Sequence, residues 1–291
     1  MAVSLSTEEE RGVPHAARTD SDLEQLEIEL LLEAVHRRYG FDFRQYAQAS
    51  LKRRLYRRLH AEGLATLSQL QDRLLHEPAC MERLLLDLSI NVTAMFRDPS
   101  FYVAFREKVA PALHTYPFTR IWCAGCSTGE EVYSLAILLQ EEGLYERTRI
   151  YATDINENVI ATAHEGVFPL EHMQQYTRNY LRAGGRHDFS HYYVAAYDGA
   201  RFSRSLTENV VFAQHNLAMD RTFNDFNAIV CRNVMIYFDK DLQARVHQLF
   251  YDSLQMFGVL ALGHKESINF TPYAERFEAL DAAERIYRRV S

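Results

Sequence analysis

The chain reads as two parts: a small all-helical domain, then an α/β domain built on a mainly parallel sheet. Three observations predict this. Before residue 119 apolar residues recur near a period of 3.6, and no stretch alternates as a strand does. After Pro117 short apolar runs alternate with helical patterns, the signature of a parallel sheet covered on both faces. The 291 residues, 47% apolar and 24% charged, suffice for two domains with packed cores. Gly and Pro are few, 12 and 7, which argues against turn-rich all-β folds and low-complexity linkers.

Residues 1–22 lack periodicity and read as a disordered lead-in. The helical domain is expected over 23–88. Leu23, Leu26, Ile28, Leu30, Leu31 and Val35 form its first apolar stripe, and Gly40 closes that helix. A second helix is expected from Phe43 to His60, a third over Leu67–Leu75 and a fourth over Cys80–Leu88. Residues 89–118 read as a linker. The domain over 119–291 opens with strand Arg120–Ala124, a Gly-bearing turn and helix Glu130–Leu139. Strand Arg149–Thr153, helix Glu157–His164, strands Val210–Ala213 and Ala228–Cys231, helix Lys240–Leu254 and strand Val259–Leu262 follow. Phe277–Ala282 and Arg285–Val290 fit an antiparallel hairpin at the sheet edge. An aromatic-rich insert over 166–208 interrupts this rhythm, and its rings are expected to form a small core of their own.

Several function classes are disfavoured. No run of eighteen apolar residues exists, so no membrane insertion is expected. The N-terminus carries Glu8, Glu9 and Glu10 and lacks a signal-peptide pattern. Four cysteines without framework spacing suit a reducing cytoplasm. Cys123-x-x-Cys126 has no second pair or nearby His pair, and the 12 histidines show no ligand spacing, so no metal is expected. The net charge of −7 opposes general binding to nucleic acid.

In an open parallel sheet, ligands bind beyond the carboxyl ends of the strands, where strand order reverses. The turn Cys123-Ala-Gly125-Cys-Ser-Thr-Gly129-Glu-Glu131 permits close backbone approach but is no dinucleotide fingerprint. Glu130 and Glu131 would repel a pyrophosphate and attract an amine. An ordinary strand-to-helix connection explains such a turn equally well. Asp154, ending the second strand, suits two ribose hydroxyls; the alternative is the N-cap of the next helix. Turn and acid together suggest S-adenosylmethionine (AdoMet), which carries an amine, a sulfonium and a free ribose but no phosphate.

Six stretches appear in order: Asn91-Val-Thr93-Ala-Met-Phe-Arg97, Cys126-Ser-Thr-Gly-Glu-Glu131-Val-Tyr-Ser134, Ala152-Thr-Asp154-Ile155, Asn216-Leu217, Cys231-Arg-Asn233-Val-Met-Ile-Tyr237-Phe238 and Gly263-His-Lys-Glu266-Ser267. From about residue 25 onward this set resembles the CheR family of chemoreceptor protein-glutamate O-methyltransferases. The resemblance implies a helical N-terminal domain, then a Rossmann-like class I methyltransferase sheet carrying a small inserted β-subdomain. It also implies AdoMet as methyl donor, S-adenosyl-L-homocysteine as product, and a cytoplasmic role in chemosensory adaptation. By position, Asn91, Thr93, Arg97, Glu131, Asp154, Asn216, Leu217, Arg232 and Asn233 fall on AdoMet-contacting sites. Glu131 would take the amine, Asp154 the ribose, and Asn216 would lie near the adenine. Arg97 and Tyr237 match the pair beside the reactive methyl, although a core tyrosine capping a strand is the plainer reading of Tyr237. Met95 departs from the family's usual Phe, a swap of tolerable volume. The final motif carries Lys265, a local change of charge.

The acidic total hides a local surplus. Residues 43–60 hold Arg44, Lys52, Arg53, Arg54, Arg57 and Arg58 and no acid, so the remainder sums to −13. At helical spacing Leu51, Leu55 and Leu59 form the inner stripe while Arg53, Arg57 and His60 lie opposite, and the cations are expected to face outward uncompensated. A solvated face explains such a run. The resemblance instead places this helix against Glu-rich cytoplasmic helices of chemoreceptors, with Arg53 and Arg57 steering the substrate. The insert follows the pattern of the family's receptor-tether site poorly. A monomer is expected.

Overall fold

A computed structural model describes residues 20–88, 93–197, 199–269 and 271–291. The helical part comprises α1 (Asp20–Tyr39), α2 (Gln48–Ala61), α3 (Leu67–His76) and α4 (Pro78–Leu88). Its apolar stripes interlock: Leu31, Val35, Leu55, Leu70 and Leu84 are all buried in one cluster. Each such side chain contributes about 1.5–3 kcal/mol of burial. A Thr66/Gln69 capping box starts α3.

The second helix starts five residues later than its pattern implied. Over Gln45–Ala47 the backbone is engaged elsewhere: Tyr46 bridges Phe238, Ala47 N–H donates to the Tyr237 carbonyl (2.8 Å), and Asp239 N–H donates to the Gln45 carbonyl (2.8 Å). Periodicity cannot register that competition, because the partner lies some 190 residues away.

The stretch expected as a linker is helical instead. α5 (Pro99–Ala104), a π-turn (Phe105–Val109) and α6 (Ala110–Leu113) run on from one another. Phe101, Tyr102, Phe105, Val109 and Leu113 are buried in the core of the α/β part, so this segment is one of its packing layers.

The sheet is formed by β1 (Thr119–Ala124), β2 (Thr148–Asp154), β6 (Val210–Gln214), β7 (Phe226–Cys231), β8 (Leu254–Leu262), β9 (Phe277–Asp281) and β10 (Ile286–Arg289). Their order is β6-β2-β1-β7-β8-β10-β9, parallel through β8, with the hairpin antiparallel at the edge. Helices α7 (Glu130–Glu141), α8 (Glu157–Glu165) and α10 (Lys240–Ser253) make the connections. The central strand β7 is buried along its whole length, as expected for strands covered on both faces. Trp122 of β1 stacks on Phe226, meets Phe250 edge-on and donates its indole N–H to Thr153 Oγ1 at 2.8 Å. Strand order reverses between β1 and β7.

The insert holds a three-stranded antiparallel sheet, β3 (Val167–Phe168), β5 (Gly199–Phe202) and β4 (Tyr193–Ala196), with helix α9 (Met173–Arg182). Its aromatics do not make a separate core. Tyr180 and Phe189 pack on Phe96, with ring centroids 5.2 and 6.2 Å away, inside the main cluster. Asn179 Nδ2 also donates to the Met95 carbonyl at 3.0 Å.

Candidate active site

A cleft opens at the carboxyl ends of β1, β2, β6 and β7, at the reversal of strand order. Thr93, Arg97, Glu131, Asp154, Asn216, Leu217, Arg232, Asn233 and Tyr237, all singled out in the sequence, line it. Asn91 lies outside the described residues. Arg53 and Arg57 lie elsewhere, on the exposed face of α2.

The β1–α7 turn is shaped by two left-handed glycines, Gly125 (φ 77°) and Gly129 (φ 99°). A Cβ on Gly125 would stand 2.4 Å from Val234 Cγ2, so only glycine lets the facing loops close this tightly. Phe96, Asp98, Ser127 and Asn233 are non-glycine residues with positive φ, and all belong to segments that wall the cleft. Strain concentrated in this way marks a functional site.

Glu130 and Glu131 part company at the head of α7. Glu130 is buried and turned away from the cleft, accepting from Thr128 Oγ1 (2.7 Å) and the Tyr176 hydroxyl (3.3 Å). Only Glu131 faces the cleft, so the expected pair of carboxylates there is a single one. Its Oε2 accepts from Arg232 Nη1 at 2.9 Å. Arg232 is itself buried, stacked over Phe101 at 4.1 Å and paired with Asp98 at 2.8 Å. The helix α8 cap is Asn156, whose side chain accepts from Asn158 N–H, so Asp154 has another use. Its carboxylate accepts from Ser127 N–H (2.9 Å) and Asn156 N–H (3.1 Å). Burial raises its pKa above the ordinary value, against those two donors.

Two contributors had no role assigned from the sequence, although Glu266 stands in one of its motifs. Glu266, buried, accepts from the backbone N–H groups of Gly263, Asn233, Val234 and Met235 at 2.6–2.9 Å. It thereby holds the loop that presents Asn233 and Tyr237, and burial pushes its pKa up despite four donors. Its signal was the Gly-x-x-Glu spacing after a strand. Tyr46, reaching in from the helical domain, lines the cleft against Phe238 with centroids 5.1 Å apart. No local pattern marks it.

The donor and acceptor set fits AdoMet. Glu131 offers a carboxylate for an amine, Asp154 a buried carboxylate for ribose hydroxyls, and Ile155, Leu217, Val234 and Phe238 offer apolar walls for a purine. Arg232 already serves two carboxylates, which disfavours a phosphate ligand there. All four cysteines are free and buried. Among the described residues no group of three His, Cys, Asp or Glu could hold a metal, and no helix is long and apolar enough to cross a membrane.

Comparisons with known proteins agree with this geometry. Residues 91–285 match the family described as CheR methyltransferase, SAM binding domain, and 26–89 match CheR methyltransferase, all-alpha domain. A Pseudomonas putida protein named "Putative methyltransferase Cher3" is 50% identical over 91% of this chain and 97% of its own length. "Chemotaxis protein methyltransferase 2" of Pseudomonas aeruginosa is 32% identical, over 81% and 84% respectively. The "Chemotaxis protein methyltransferase" of Salmonella typhimurium is 31% identical over 85% of each chain.

Proposed function

The chain belongs to the CheR methyltransferase family, with a SAM-binding domain and an all-alpha domain, and on that premise we propose that it methylates glutamate side chains of cytoplasmic chemoreceptor helices. The observation that carries this reading is the convergence of Arg97 and Tyr237 with Glu131 and Asp154 around one cleft. Bound AdoMet supplies an electrophilic methyl on a sulfonium. Glu131 would hold its amine, Asp154 its ribose, and Asn216 and Leu217 its adenine, with Thr93, Arg232, Asn233 and Asn91 completing the contacts. A glutamate with a pKa near ~4.3 is already a carboxylate at neutral pH, so the acceptor needs no general base. The chain's task is placement. Arg97 offers a planar fork of N–H groups that orients a carboxylate, and the Tyr237 hydroxyl steers the acceptor oxygen.

Surface cations of α2 would guide the acidic acceptor toward this end of the cleft, with Arg53 and Arg57 in that role. The direct test is transfer of a radiolabelled methyl group to chemoreceptor cytoplasmic domains, followed by base treatment. Base-labile methanol is the expected product; label retained through base would mean an N-methyl product and overturn the glutamate reading. Tyr237→Phe and Arg97→Ala are expected to cut turnover at least about 10-fold with little loss of stability, and unchanged turnover in both would remove them from the site.

A further inference from the structure

Of the six cations read as one outward face, Arg54 turns inward. It is buried at 2% exposure, on the same side of α2 as Leu51 and Leu55. Its Nη1 donates to the Leu88 carbonyl at 2.5 Å, and its guanidinium carbon lies 4.5 Å from the centre of the Tyr237 ring. Its Nη2 is buried without a hydrogen-bond partner among the described residues. Leu88 and Tyr237 both line the cleft, on opposite sides of the junction between the two domains. A buried cation that has, among the described residues, one hydrogen bond and one ring face is a poor way to stabilise a core, since an apolar side chain of similar volume would serve at least as well. Its neighbours suggest another use.

We infer that Arg54 is a positioning residue for Tyr237, supplied by the helical domain, which fixes the ring and aims its hydroxyl at the acceptor. This rests on the reading of Tyr237 given above. Tyr237 is attached to the helical domain twice: its ring through the guanidinium over its face, and its backbone carbonyl through the Ala47 N–H at 2.8 Å. A guanidinium lying over the ring face restrains ring rotation, which a lysine ammonium would do less well. The cation also favours negative charge on the phenol oxygen, strengthening it as a donor. Burial raises the Tyr237 pKa, and Arg54, then Arg97, pull it back, with Glu266 opposing and Arg53 assisting.

The test is a double-mutant cycle on the full chain, with turnover of receptor substrate, calorimetric S-adenosylhomocysteine affinity and thermal midpoint as readouts. Arg54→Met is expected to lower kcat about 10-fold while acceptor KM and product affinity stay within about twofold, with the thermal midpoint unchanged or raised. Arg54→Lys should recover part of the loss and covers the case in which the methionine variant fails to fold. Combined with Tyr237→Phe, Arg54→Met should cost nothing further, because the hydroxyl it aims is gone. Full additivity, or normal kcat in Arg54→Met while Tyr237→Phe is impaired, would overturn this inference alone. Normal turnover in Tyr237→Phe would instead overturn the role given to Tyr237.

Discussion

The α2 surface and the cleft at the strand ends are both clusters of charged residues, yet their charges are held in opposite ways. On α2 and just before it the cations meet acids, some local and some from other elements: Lys52 pairs with Glu24, Arg44 with Glu33 and Asp42, Arg57 and Arg58 with Asp87, and Arg58 also with Glu62. The face expected to be uncompensated is therefore largely paired: among the described residues Arg53 and the inward-turned Arg54 are its cations without a carboxylate partner. Hydrogen bonds hold these acids below the usual carboxylate range: from Lys52 on Glu24, from Arg37 and then Arg44 on Glu33, and from Arg44 on Asp42. Burial does the reverse to Asp154 in the cleft and to Glu266 behind the Asn233 loop, raising both. Surface acids are eased by cations, Glu266 is held by four backbone N–H groups, and Asp154 is the shifted acid that faces the cleft.

The sharpest way to break this contrast is to remove an acid from the cleft. Asp154→Ala should weaken S-adenosylhomocysteine binding by about 100-fold, the worth of one or two charge-assisted hydrogen bonds. Calorimetry measures it, and affinity within a factor of three would mean that Asp154 serves only the turn.

An intermediate effect is expected at Glu62, the hub that receives Arg58, Arg73 and Arg83. The hydrogen bond from Arg83 leads in lowering its pKa, to about 2. A depressed carboxylate contributes stability above its ordinary value of 4.5, and that stability fades as pH falls through about 2. Glu62→Gln should therefore cost about 1–3 kcal/mol in denaturant unfolding at pH 7 and progressively less toward pH 2. Asp154 and Glu266, being raised, run the other way: their contribution is present below the ordinary carboxylate value and lost as pH rises through the raised one. A pH-independent cost for Glu62→Gln would show that the Glu62 charge does not matter.

The smallest effect on the fold is expected for the double reversal Arg53→Glu and Arg57→Glu, within about 0.5 kcal/mol of the parent. Receptor methylation should nevertheless slow at low salt and converge with the parent as salt rises. A reversal that left methylation and its salt dependence intact would make this face ordinary solvated surface.

Much of the cleft was legible because strand ends are addresses. Once Ala124, Asp154 and Cys231 are seen to end strands of a parallel sheet, the residues after them must gather at one edge, whatever the packing. The linker and the insert were misjudged because their partners are distant. Phe96, Tyr102, Tyr180 and Phe189 form one aromatic cluster across nearly a hundred residues of chain, and spacing along the chain is blind to it.

By itself, then, the amino-acid sequence determined the two-part architecture, the order of strands and helices along the chain, and the identity of most cleft residues. These depend on local periodicity and on strand ends. Tertiary structure decided which charges are spent and which are presented: that Glu130 turns from the cleft while Glu131 faces it, that Glu266 holds the Asn233 loop, and that Arg54 enters the core to meet Tyr237. Charge pairing and burial depend on distances in space between residues far apart in the chain, and no pattern along one segment encodes them.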